Sequence, residues 1–169
     1  MAARHLAQTY STTTDTKKKR KEQIKWAIAG RSPTKLKAVL RSLADELNLP
    51  SLITDIDMII VDTLDIITLP HLVQNTRVVC STAGPYQAYG SGVIEFCAKY
   101  GTHYTDITGE VGWVKTMMVQ WNDTAKKSGA VLLPFCGHDS IPWELSVYKI
   151  RQLLLQQQPS DSDQLECVC

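Results

Sequence analysis

The densest polar cluster in the chain is Cys136-Gly137-His138-Asp139-Ser140, two residues ahead of Pro142. A nucleophile, an imidazole and a carboxylate are the parts of acyl-transfer chemistry. A triad needs its members to converge in space, and neighbours in one turn rarely do so. No G-x-S-x-G elbow supports a hydrolase built on Cys136 or Ser140. Cys-x-His alone lacks the further ligands of a zinc site, so no metal centre is expected. The simpler expectation is that Asp139 or Ser140 caps the helix that follows, in a loop that also faces a ligand.

Three other segments carry chemistry-bearing residues. HYTDITGE, residues 103–110, places Asp106 and Glu110 close to Gly109. Two carboxylates near a strand end suit acid/base work. They also suit the first turn of the next helix, where negative charge is favoured, and capping is the expectation. STAGPYQAYG, residues 81–90, holds Gly84 and Pro85, which favour a tight turn. Gly84 lets backbone approach a ligand closely. Tyr86 and Tyr89 either line that pocket or pack as ordinary aromatics, and packing is the expectation. AGRS, residues 29–32, lies between an apolar run and a helical one. Arg31 would meet phosphate through its planar fork, with Ser32 and Lys35 nearby. The plainer account is a helix entry.

These segments sit in an alternation of short β-rich runs and helical stretches. Strands are expected at residues 24–29, 58–62, 77–80, 103–107 and 130–135. Helices are expected at residues 2–10, 33–47, 66–75, 93–100, 111–128 and 141–156. Leu36, Val39, Leu40, Leu43 and Leu47 have helical spacing, with Ser32 as N-cap and Pro33 at the first helical position. Residues 11–23, 48–57 and 83–92 are expected as loops or turns. The alternation argues for an α/β fold: a doubly wound, mostly parallel sheet with helices on both faces. Ligands of such sheets bind at the carboxyl ends of the strands. That rule selects Gly30-Arg31-Ser32, Asp62, residues 81–85 and residues 136–140.

The totals agree. The chain has 169 residues, 44% hydrophobic and 21% charged, which allows one packed domain. Residues 1–156 are expected to form it, and 157–169 a polar, disordered tail. A net charge of +1 gives no argument for nucleic acid. The five cysteines lack regular spacing and are expected as reduced thiols. No run approaches the roughly 18 apolar residues of a membrane span, and no leader is visible, so the default location is the cytoplasm. The basic run at Lys17-Lys18-Lys19-Arg20-Lys21 is expected to be a solvated loop. Cys167-Val168-Cys169 is not a prenylation box.

Four stretches in this order resemble the saccharopine dehydrogenase-like oxidoreductases: IKWAIAGRSPTKL (24–36), VVCSTAGPYQAYG (78–90), CAKYGTHYTDITGE (97–110) and LPFCGHDSIPWELSV (133–147). The trans-acting enoyl reductases belong with them. The resemblance implies a Rossmann-like NAD(P)-binding domain, oxidoreductase chemistry and a link to lipid metabolism. NADP is expected over NAD, because the first visible strand ends in Arg31, without the acid that meets a free ribose 2′-hydroxyl. The cofactor-binding residues so implied are Arg31, Ser32, Asp62, Ser81, Ala83, Gly84, Pro85, Cys136 and Gly137. No catalytic residue is assigned, and the substrate is an undefined small or lipid-like molecule. The resemblance also implies that lipid-droplet or membrane association accompanies the family.

Members of that group begin with a strand and a glycine-rich turn. Here residues 1–10 read as the second half of the first helix. The expectation is therefore a fold lacking the first strand and the phosphate-binding turn, with weak cofactor binding. Members also continue past this length, and carry Phe where His138 stands in the C-G-F-D-S motif. The competing expectation is a catalytically inactive fragment with an interaction role, self-associating through exposed sheet surface.

Overall fold

The computed structural model describes residues 2–10 and 24–157. The basic run and the terminal cysteines lie outside the described residues. The elements are α1 (Ala2–Tyr10), β1 (Ala27–Gly30), α2 (Pro33–Leu47), α3 (Leu52–Asp55), β2 (Asp57–Ile60), α4 (Leu69–Gln74) and β3 (Val78–Ser81). They continue with α5 (Tyr86–Tyr89), α6 (Ser91–Tyr100), β4 (His103–Asp106), α7 (Val111–Ser128), β5 (Leu132–Leu133) and α8 (Ile141–Gln157). Among the described residues all strand pairing is parallel, and helices connect the paired strands, which is the expected α/β architecture. The chain forms two compact units, Met1–Asn75 and Thr76–Cys169.

In the first unit β1 pairs with β2, from Ala27 opposite Asp57 to Gly30 opposite Ile60. The connecting helix α2 starts where the sequence says it should. Ser32 is extended and its Oγ accepts the Lys35 N–H at 3.3 Å. Pro33 opens the helix at no cost in lost bonds. Asn48 closes it in the left-handed region, φ 52°, where its N–H reaches the Ala44 and Asp45 carbonyls. Leu40, Leu43 and Ala44 of α2 bury against Ala7, Leu52 and Ile56.

In the second unit the strand order is β3-β4-β5. Val78 lies opposite His103 and Ser81 opposite Asp106, while Tyr104 lies opposite Leu132. Val93, Ile94, Cys97 and Ala98 of α6 and Val114, Met117 and Ala125 of α7 are buried, as is Tyr104 of β4. Gly101 and Gly129 end α6 and α7 with φ of 76° and 81°, a conformation few other residues adopt cheaply.

The boundaries differ from the sequence pattern for local reasons. The strand expected at 130–135 shrinks to Leu132–Leu133. Pro134 has no N–H to give a ladder, and Phe135 turns away with φ 61°. The loop expected at 48–57 holds the single turn α3. The turn expected at 83–92 contains a cis Gly84–Pro85 peptide, then α5 and the start of α6. The helix expected at 66–75 keeps only Leu69–Gln74. Asp62, Asp65 and Thr68 tie the preceding stretch into hydrogen-bonded turns instead.

Candidate functional site

The parallel register gathers the selected residues at the carboxyl end of each sheet. In the first unit the Val61 N–H donates to the Gly30 carbonyl at 3.2 Å. The residues after both strands, Arg31-Ser32 and Asp62, therefore lie at one edge. Arg31 is exposed and Ser32 half-buried. The turn between β1 and α2 holds Arg31 and Ser32 and no carboxylate, and Lys35 follows in the first turn of α2. Asp62 is used locally. Its Oδ1 accepts the Leu64 N–H at 3.0 Å, and its own N–H donates to Thr68 Oγ1 at 3.3 Å.

In the second unit Ser81, Asp106 and Cys136 share the sheet end. Ser81 and Asp106 are register partners, and the Cys136 N–H donates to the Asp106 carbonyl at 2.8 Å. Asp106 is fully buried and organises this end. Its Oδ1 accepts from the Thr108 N–H at 3.1 Å and the Phe135 N–H at 3.0 Å. Its Oδ2 accepts the Tyr104 hydroxyl at 2.8 Å. Burial, and then the Asp106 carboxylate beside it, push the Tyr104 hydroxyl well above its usual range, so it stays a donor.

Ser81 is buried, whereas Ala83, Gly84 and Pro85 are exposed at the turn. The turn is closed by Tyr86, whose hydroxyl donates to the Ser81 carbonyl at 3.0 Å. Its ring lies 5.7 Å from that of Trp113. Tyr86 is thus a packing residue, as expected. A Cβ at Gly84 would meet this ring in ordinary contact, at 3.4 Å, while one at Gly137 would press on Ile107 at 3.3 Å.

The expected caps are corrected. Neither Asp106 nor Glu110 caps α7 through its side chain. Glu110 reaches back instead: Oε1 accepts the Tyr86 N–H and Oε2 the Gln87 N–H, both at 2.7 Å. The entry of α8 is closed by backbone. Ser140 and Ile141 N–H donate to the Gly137 carbonyl, and Trp143 and Glu144 N–H to that of Ser140. Among the described residues no side-chain bond from Asp139 or Ser140 caps it.

The side chains of the polar cluster have separate surroundings. The Cys136 thiol donates to the Leu133 carbonyl at 3.3 Å, and His138 and Asp139 are exposed. Partial burial, then Cys136 and Asp106, push the Cys80 thiol above its ordinary range, although part of the residue is exposed. Among the described residues no three His, Cys, Asp or Glu side chains gather to hold a metal. No helix among them is long and apolar enough to cross a membrane.

No family model matches the chain. It is 34% identical over 129 residues to a mouse saccharopine dehydrogenase-like oxidoreductase, covering 76% of this chain and 30% of that protein. It is 32% identical over 126 residues to a Caenorhabditis elegans lipid droplet localized protein, covering 75% and 29%. It is 33% identical over 150 residues to a Mycobacterium bovis trans-acting enoyl reductase, covering 89% and 32%. The chain thus spans about a third of the length of the curated relatives it matches. In structure it resembles apo saccharopine dehydrogenase (L-Glu forming) from Saccharomyces cerevisiae, with a TM-score of 0.56 at 18% identity over 80% of this chain and 26% of that one. That likeness establishes a Rossmann-like fold.

Proposed function

Because this chain is homologous to the saccharopine dehydrogenase-like oxidoreductases over three quarters of its length, we propose that it carries the nucleotide-binding part of an NAD(P)-dependent oxidoreductase. The observation that carries the reading is the set of loops at the carboxyl ends of parallel strands, in a chain of that ancestry. In the first unit the reading assigns Arg31 and Ser32 to the ribose 2′-phosphate of NADP, and Asp62 to the adenosine end. In the second it assigns Ser81, Ala83, Gly84, Pro85, Cys136 and Gly137 to the nicotinamide end. The cofactor would supply the hydride; the protein would bind and orient it. Residues 1–156 would act as one nucleotide-binding domain. A lipid-like substrate and lipid association are the finer part of the reading, and the name of the nematode relative supports them.

Titration of the four tryptophans' fluorescence with NADPH and NADH tests this. At equal concentrations NADPH should change the signal more than NADH, and Arg31→Ala should remove the difference. A response to neither cofactor overturns the reading. An unchanged preference in Arg31→Ala overturns the 2′-phosphate assignment.

A second reading is a role in association. The observation that favours it is α8, whose Trp143, Leu145, Tyr148 and Ile150 are each at least 58% exposed. Apolar surface of that kind favours a partner. Sedimentation of the full chain over a range of concentrations decides it: a monomer throughout removes self-association.

A further inference from the structure

Glu110 stands 24 residues after the backbone it holds. Its two carboxylate oxygens take the Tyr86 and Gln87 N–H groups, the first donors after the Gly84–Pro85 turn. These are charge-assisted bonds at 2.7 Å, about twice as strong as neutral ones. A relay holds the backbone of Glu110. Asp106 Oδ1 accepts the Thr108 N–H at 3.1 Å, and Thr108 Oγ1 accepts the Glu110 N–H at 3.0 Å. Thr108 and Asp106 are both buried. The end of β4 is thereby connected, bond by bond, to the turn after β3.

The turn is pinned at its other end too. The Tyr86 hydroxyl holds the Ser81 carbonyl, the ring rests on Trp113, and Trp113 Nε1 donates to Ser91 Oγ at 3.0 Å. Gly90 leaves no slack, since a Cβ there would lie 2.8 Å from Trp113 and 2.9 Å from the Tyr86 carbonyl. Backbone N–H groups after a strand-end turn would ordinarily attract a phosphate or carboxylate. Here the chain's own carboxylate already occupies them.

We infer that Glu110 is a positioning residue that fixes the turn from Ser81 to Tyr86 and closes it to anions. At these two N–H groups the turn then offers nothing to an anionic part of a ligand. Resting on the cofactor reading above, the part that meets the turn is the nicotinamide end of the dinucleotide and not its phosphates. Glu110 touches no ligand itself and acts through the backbone of Tyr86 and Gln87.

Backbone amide hydrogen exchange of the full chain tests this with Glu110→Ala and Glu110→Gln. Tyr86 and Gln87 should exchange at least about tenfold faster in Glu110→Ala, as expected for the loss of two such bonds. Glu110→Gln, which keeps one accepting oxygen, should fall between. The Phe135 amide, held by Asp106, should stay protected in both and report that the unit is folded. Added formate, or inorganic phosphate, should restore protection in Glu110→Ala and leave the wild type unchanged. Unchanged exchange at Tyr86 and Gln87 in both variants overturns the positioning role. Protection of the wild-type turn by phosphate overturns its closure to anions. Loss of amide protection in a chain that ignores NADPH would leave Glu110's role standing and remove only the cofactor reading.

Discussion

Asp106 accepts the backbone N–H of Phe135 at 3.0 Å, across 29 residues of sequence. With the Cys136 N–H on the Asp106 carbonyl, this bond turns the chain away from β5 and carries it toward α8. Phe135 sits at φ 61°, a conformation a bulky residue rarely adopts without outside support. One buried carboxylate therefore serves a strand, the turn that follows it and the loop after β5.

Asp106→Ala should accordingly be the most damaging single change at this sheet end. It leaves the Tyr104 hydroxyl and the Thr108 and Phe135 N–H groups without their acceptor. Each unsatisfied buried donor costs about 1–3 kcal/mol. A loss of roughly 3 kcal/mol or more is expected from urea denaturation, with Asp106→Asn milder because one oxygen still accepts. A loss under about 1 kcal/mol for Asp106→Ala would show the network to be dispensable.

Gly90→Ala tests the packing of the same corner. The added methyl would stand 2.8 Å from the Trp113 ring and 2.9 Å from the Tyr86 carbonyl. Overpacking of this kind costs about 1–3 kcal/mol. The thermal midpoint should fall, and near-ultraviolet circular dichroism should register the displaced Trp113. An unchanged midpoint would mean that the corner can open.

Ser32→Ala should cost about 1 kcal/mol by removing the cap of α2, and Ser32→Gly less. The bond at stake is the Lys35 N–H to Ser32 Oγ at 3.3 Å. Denaturation of the first unit measures it. Equal stability of Ser32→Ala and the wild type would show that the long bond contributes nothing.

Alkali should destabilise the second unit through Cys97. Burial pushes this thiol from its ordinary 9.0 up to about 12. Above pH 9 the unfolded chain gives up a proton that the folded chain keeps, so unfolding gains. Stability from this group is complete below pH 9 and falls by up to about 1.4 kcal/mol per pH unit toward pH 12. Tyr104, also raised by burial, acts in the same direction from about pH 10 upward. Urea midpoints of wild type and Cys97→Ala across this range should diverge in slope. Parallel slopes would remove Cys97 as a cause.

Much of the fold was legible because its signals are local. The spacing of Leu36, Leu40, Leu43 and Leu47, the Ser32 cap and Pro33 together define α2 to the residue. The 111–128 helix was equally clear, running to a glycine that only a left-handed closure suits. The strands were placed but not bounded. A strand ends where its partner or its donors end, as Pro134 and Phe135 show. The single turns α3 and α5 are too short to leave a period in the sequence.

The candidate site was legible as positions, not as partners. Alternation of strands and helices was enough to place Arg31, Asp62, Ser81 and Cys136 at strand ends. Capping rules reach only three or four residues, so they directed Glu110 forward to α7. The side chain in fact reaches back to α5, because the pairing of β3 with β4 sets their two exit turns side by side. The same pairing turns Asp106 from a surface acid or cap into a buried hub. The sequence by itself determined the parallel α/β order and which residues reach the strand ends. Only the tertiary structure decided what those carboxylates hold, since a hydrogen bond between distant residues depends on strand register, which is fixed by packing across the whole sheet.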